Sequence, residues 1–289
     1  RAGLLELDVM TVSGLTLGEA LDWWEGSERR HRLRERLQVR EGVDPDDVIM
    51  SPERAIAKGL TSTVCFPVGN LAPGGSVIKS TAIDDSVVGA DGVYRKRGPA
   101  KVFTTEIEAI QAVKGRGPKP LAPGDILVLC CRGPMGSGME EIYQITSALR
   151  HLPFGKQIAV LTDARFSGVS TGACIGHITP EALAGGPLGK VHDGDMIEIA
   201  VDRIRLEGSV NLIGENGNAA GIEEGNRLLA ERGPNPALKP DEFLSADTRL
   251  WAALQAVSGG TWSGSVYDVD RIVEVLNAGV KALDSHASG

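Results

Sequence analysis

Nowhere in the 289 residues is there a CxxC pair, an apolar run approaching the ~18 residues of a membrane span, or an excess of basic charge. Each absence excludes a class of function. The formal charge of -8 argues against a surface for nucleic acid or anionic lipid. The basic run Arg29-Arg30-His31-Arg32 to Arg36 is interleaved with Glu28 and Glu35 and reads as a solvated helix face. The four cysteines, Cys65, Cys130, Cys131 and Cys174, read as buried free thiols of a reducing, cytoplasmic compartment. On a strand, the adjacent Cys130 and Cys131 would face opposite ways, so they would neither chelate one metal nor bridge each other. No signal peptide, internal repeat or low-complexity tract appears. Arg1 to Asp8 lacks an initiator methionine and runs straight into apolar sequence, which reads as a piece of something longer.

Glycine is abundant instead, 37 of 289 against a usual share of about 7%. That suits a β-rich fold with elaborate loops. Thr16-Leu-Gly-Glu19 is a capping box opening a helix through Trp23 and Trp24, and the charged stretch to Gly42 continues helical. Val43 to Pro52 marks a boundary. Ser62–Val68 and Ser76–Ser80 read as strands, and Thr105–Lys114 as a capped helix. Asp125–Cys131 and Gln157–Thr162 are continuous apolar runs, the pattern of strands buried on both faces. Between them the spacing of Met139, Ile142, Ile145 and Leu149 predicts one amphipathic helix over 139–149. Asp195–Val201 and Ile204–Ile213 alternate as a hairpin, and two helices, 247–257 and 268–283, end the chain.

Two glycine-rich segments follow buried strands, where α/β proteins concentrate functional loops. In Gly133-Pro-Met-Gly-Ser-Gly-Met-Glu-Glu141, a carboxylate at a loop–helix junction could ligate Mg²⁺, or merely complement the helix dipole. In Thr162-Asp-Ala-Arg-Phe-Ser-Gly-Val-Ser-Thr-Gly172, four hydroxyls could serve proton chemistry or only cap turns. Ser167 lacks a nucleophile-elbow context. His177, among apolar neighbours, reads as structural, and His192, before Asp193-Gly194, as exposed.

Together these segments resemble the dehydratases that include dihydroxy-acid dehydratase and phosphogluconate dehydratase. The matching pieces are Asp8 to Gly14, Gly69 to Gly75 with Lys79, Gly98 to Phe103, Gly133-Pro134 through Glu141, Asp163 to Gly168, Gly176 to Glu181, Gly185-Gly-Pro187 and Asp193-Gly-Asp195. The C-terminal Thr248 to Trp251, Gly259 to Trp262 and Tyr267 to Asp270 are similar to the D-xylonate dehydratase branch. The resemblance implies an α/β fold: a swivelling β/β/α domain (48–289) with a barrel-like mixed sheet flanked by helices, preceded by the helical tail (1–47) of an N-terminal cluster-binding α/β domain. It implies removal of water from a 2,3-dihydroxy sugar acid (an aldonate) to give a 2-keto-3-deoxy acid, by a hydro-lyase of carbohydrate metabolism. By motif position Ser167 would take the C2 proton as an alkoxide, Glu141 would ligate Mg²⁺, and Ser170 or Thr171 would contact substrate. Glu140 would only cap a helix. An iron–sulfur cluster would act as Lewis acid on the C3 hydroxyl. Its cysteines and the other Mg²⁺ ligands belong to the N-terminal half in relatives, so this chain alone should bind neither tightly and should be inactive. The implied partners are a small sugar acid, the chain's own N-terminal half and further copies in a homo-oligomer. A branched-chain dihydroxy-acid dehydratase, a non-catalytic assembly module and a serine hydrolase remain alternatives.

Overall fold

The computed structural model describes residues 3–58 and 63–287, and the chain divides into two compact units, Arg1–Thr61 and Ser62–Gly289. The first unit is helical. Helix α1 (Leu17–Glu25) starts at the Thr16 capping box, with reciprocal bonds between Thr16 and Glu19. Helix α2 (Glu28–Arg40) is a separate element, restarted by the Ser27 cap. Two short helices, α3 (Pro45–Val48) and α4 (Pro52–Ala57), each carry proline in the first turn. Arg54 ties them together through Asp44 and Asp47.

The second unit is a nine-stranded mixed sheet: β1 (Val64–Cys65), β2 (Gly75–Lys79), β3 (Val93–Phe103), β4 (Ile126–Leu129), β5 (Ala159–Thr162), β6 (Ala173–Thr179), β7 (Met196–Asp202), β8 (Glu207–Glu215) and β9 (Asn218–Ala219). Their spatial order is β1-β2-β6-β5-β4-β3-β7-β8-β9. The central run β6-β5-β4-β3 is parallel and the flanks are antiparallel. Of the expected first strand, Ser62 lies outside the described residues. After β1 the chain crosses to the far side of the sheet. The Val68 N–H donates to Gly208 O, and the Val210 N–H donates to Val68 O, at 3.1 and 3.0 Å. The Asn70 amide then stands in for another strand residue, accepting from the Leu212 N–H (2.7 Å) and donating to Leu212 O (2.9 Å). These contacts curl the sheet into a half-barrel. Sheet edges need such cover.

Strand alternation sorts the core. Ile126 and Val128 of β4 and Leu161 of β5 face an inner cluster shared by most strands. Leu127, Leu129 and Val160 face outward, beneath helices α5 (Glu106–Val113, capped by Thr105) and α7 (Gln144–Leu149). Between these lies α6 (Pro134–Ser137), a single turn. Helix α8 (Ile222–Glu231) packs so closely on β8 that a Cβ on Gly225 would lie 1.7 Å from Leu212 O. Helices α9 (Ala246–Val257) and α10 (Val269–Ala287) follow. No helix among the described residues is long and apolar enough to cross a membrane.

Two expectations fail here. Residues 139–143 are not helical: Gly138 and Met139 both adopt left-handed φ, and Ile142 is buried from an extended segment. The 3–4 spacing of Ile142, Ile145 and Leu149 reflects burial under one roof, with only the last two on α7. The opposed facing of Cys130 and Cys131 also fails. Strand β4 ends at Leu129, Cys131 has φ 66, and both thiols fall in the inner cluster.

Candidate active site

The loops after β4 and β5 converge on one carboxylate. Asp163, the first residue after β5, is 1% exposed and accepts the backbone N–H groups of Cys131 (3.2 Å), Arg132 (2.9 Å) and Ala182 (3.0 Å). It therefore clamps the exits of β4, β5 and β6 to one point. Burial pushes its pKa up, opposed by the N–H donors. Nearby, the fully buried Glu181 accepts from the Met135 N–H at 2.9 Å. Burial raises its pKa to about 7, and the charge of Asp163 adds to the rise.

From this clamp the β5 loop folds back over the outer face of β6. Ala164 and Phe166 pack there, and the His177 N–H donates to Ala164 O at 2.8 Å. The Phe166 ring lies so close to Gly176 that a Cβ there would meet it at 2.5 Å. Alongside runs the extended 140–142 segment: Glu141 forms a parallel bridge with Arg165, and the Ile142 N–H donates to Arg165 O at 3.1 Å. Glu141 and Ser167, remote in sequence, thus lie on adjoining backbone segments. Lys79, leaving β2, donates from Nζ to Gly168 O at 2.9 Å, which ties its ammonium to the backbone of the residue after Ser167.

The remaining site expectations divide. Ser167 is half-buried, and Glu141 is exposed with no ion pair or hydrogen bond to its carboxylate among the described residues. Ser170 is 4% exposed, its hydroxyl sharing a 3.1 Å hydrogen bond with that of Thr146. Thr171 is exposed and lines a separate groove with Asp84, Asp85 and Lys156. Glu140 does not cap a helix, because no helix starts there. Its carboxylate pairs with the buried Arg132 guanidinium at 2.6 Å. His177 packs edge-on against Phe166, and its pKa is lowered by burial and by Arg165. His192 is exposed.

Asp163, Arg132, Glu181 and the role of Lys79 were not legible in the sequence. Asp163, Glu181 and Lys79 do sit in the matching motifs, but their partners are backbone groups supplied by distant segments.

The donor set decides which inorganic groups fit. All four thiols are buried and free; burial raises those of Cys131 and Cys174 to about 12 and pushes that of Cys130 well above the ordinary thiol range. Thiolates are the ligands of a cluster, so these cysteines do not fit one. A hard divalent cation takes carboxylate oxygen. Glu141 fits as one such ligand, although among the described residues no three His, Cys, Asp or Glu side chains converge on a metal position.

The dihydroxy-acid/6-phosphogluconate dehydratase C-terminal family matches residues 47–223. The chain is 62% identical over 281 residues, 97% of its length, to D-xylonate dehydratase YagF of Escherichia coli (strain K12). It is 56% identical over 276 residues to D-xylonate dehydratase YjhG of the same organism. A dihydroxy-acid dehydratase of Agathobacter rectalis is 37% identical over 207 residues. The chain spans 42% of the length of each xylonate enzyme and 32% of the third. Matched at its core by the family's C-terminal domain and along nearly its whole length by two xylonate enzymes, the chain belongs to the dihydroxy-acid/6-phosphogluconate dehydratase family.

Proposed function

We propose that this chain supplies the C-terminal part of a sugar-acid dehydratase acting on an aldonate, D-xylonate first among them. The reaction removes the C2 proton and the C3 hydroxyl of a 2,3-dihydroxy acid, and the resulting enol becomes a 2-keto-3-deoxy acid. The observation that carries the reading is the pairing of the Glu141 segment with Arg165, two residues before Ser167, in a loop whose Gly168 carbonyl accepts from the Lys79 ammonium. On this reading Ser167 Oγ receives the C2 proton. A hydroxyl needs help to act as a base, and the cation tied to its loop favours its ionised form. Glu141 holds Mg²⁺, which when bound stabilises the charge that builds beside the substrate carboxylate. Of Ser170 and Thr171, Ser170 contacts substrate hydroxyls once freed from Thr146, since Thr171 lines a separate groove.

No cysteine here suits the cluster, so no step is assigned to it on this chain. Residues 1–47 read as the end of the cluster-binding part, and the enzyme works in the cytoplasm as a homo-oligomer. The chain alone is then inactive. The test joins this chain to the N-terminal portion of YagF and assays keto-acid formation. The expected result is turnover of D-xylonate by the chimera and none by the 289-residue chain. Turnover by the chain alone, or a chimera preferring a branched-chain dihydroxy acid, would overturn the reading.

A further inference from the structure

We infer that Arg132 is a positioning residue, through which the C-terminal segment 241–262 holds Glu141 in place. The inference rests on the Mg²⁺ reading of Glu141 above and adds residues beyond the 47–223 span of the family domain. Two non-glycine residues of the site loop, Cys131 and Met139, lie in the left-handed region, with φ 66 and 64. Such conformations persist only where the surroundings enforce them. The first enforcing group is Asp163, already described; it fixes Cys131 but not Met139.

The second comes from the C-terminal segment. The Arg132 side chain is 7% exposed. Its Nε donates to Glu140 Oε1 at 2.7 Å, and its Nη2 donates to Asp241 Oδ2 at 3.0 Å. Asp241 also donates its backbone N–H to Gly136 O (2.8 Å), while its Oδ1 accepts from the Phe243 N–H (2.9 Å). Thr248 of α9 packs on Gly138, where a Cβ would lie 2.7 Å from its methyl carbon. Farther along, Thr261 accepts the Glu181 N–H (2.9 Å), and Trp262 Nε1 donates to Ala184 O (2.7 Å). One segment thus grips the loop at Arg132, Gly136 and Gly138, and reaches the Glu181 turn beside it.

The consequence for Glu141 follows from extended geometry. Neighbouring side chains on an extended segment point to opposite sides. Anchoring Glu140 to the buried guanidinium fixes that residue and leaves Glu141 on the other side, on the strip that bridges to Arg165. Without Arg132, Glu140 and Asp241 become two carboxylates that repel each other across a shared pocket, and the 139–142 segment loses its anchor. Lysine keeps the charge but not the fork that reaches both acids.

The test has two readouts. In the 289-residue chain, amide hydrogen exchange is followed by mass spectrometry in Arg132→Met and, as the milder change to a partly exposed partner, Asp241→Asn. The expected result is exchange at 139–142 about tenfold faster in both variants, with β4 and β5 amides unchanged. In the chimera, both variants should raise the Mg²⁺ concentration for half-maximal activity about tenfold, with kcat at saturating Mg²⁺ within about threefold. Arg132→Lys should fall between them and the parent. Unchanged exchange at 139–142, or acceleration spread evenly over the domain, would overturn the inference. If Glu141→Gln leaves the Mg²⁺ requirement untouched, the metal reading falls instead, and the exchange data still judge the brace.

Discussion

Replacing Asp163 by asparagine tests how the site loops are held. The substitution keeps shape and volume and exchanges one carboxylate oxygen for an NH₂. Oδ2 accepts two N–H groups, from Cys131 and Ala182, and Oδ1 accepts one, from Arg132. The best amide orientation keeps its oxygen at the Oδ2 position, so its NH₂ faces the Arg132 N–H. One hydrogen bond to a charged acceptor is lost, about 1.5–3 kcal/mol, and a buried N–H is left without a partner, about 1–3 kcal/mol. Against this stands relief from burying a charge, which already pushes the carboxyl's pKa up. The balance is a loss of about 2–4 kcal/mol. Asp163→Ala, which orphans all three donors, should cost about 4 kcal/mol or more. Urea unfolding monitored by circular dichroism measures the loss. Amide exchange at Cys131, Arg132 and Ala182 localises it, with the fastest gain expected at Arg132. Stability of the asparagine variant within about 0.5 kcal/mol of the parent, with those amides still protected, would refute the clamp.

Three further outcomes follow from the same geometry. In the chimera, Ser167→Ala should lower kcat on D-xylonate by about 10²–10⁴, the range for a lost general base, with an unchanged melting curve. Glu181, normally near 4.5 and here raised to about 7, binds a proton on folding between those values. Its contribution is complete below pH 4.5 and lost as pH rises through 7, on the order of 3 kcal/mol. Glu181→Gln should flatten that slope and be more stable than the parent at pH 8; a parallel pH–stability curve would count against it. Gly225→Ala sets a Cβ against the Leu212 carbonyl, backbone that cannot rotate away, and should cost about 3 kcal/mol or more by denaturant unfolding.

Much of the scaffold was legible because its signals are local. The Thr16 capping box, the Thr105 cap and the apolar runs of β4 and β5 each declare an element within a few residues. The 139–149 segment misled because periodicity records burial without naming the backbone that delivers it. There Gly138, the left-handed C-cap of the single turn α6, was the overlooked stop signal. The curling of the sheet through Asn70 and the Asp163 clamp depend on partners far along the chain, which no window of sequence contains. Glu141 and Ser167 were singled out by motif, while Arg132 and Asp241 form an ion pair of residues that each look like ordinary surface charge in isolation.

The account turns on Glu141 and Ser167 working on one substrate, and a double-mutant cycle in the chimera measures that directly. With kcat/KM for D-xylonate dehydration determined for Ser167→Ala, Glu141→Gln and the pair, a shared site predicts strong non-additivity, the double variant being little worse than the poorer single one. Losses that simply multiply would show two independent residues and contradict it.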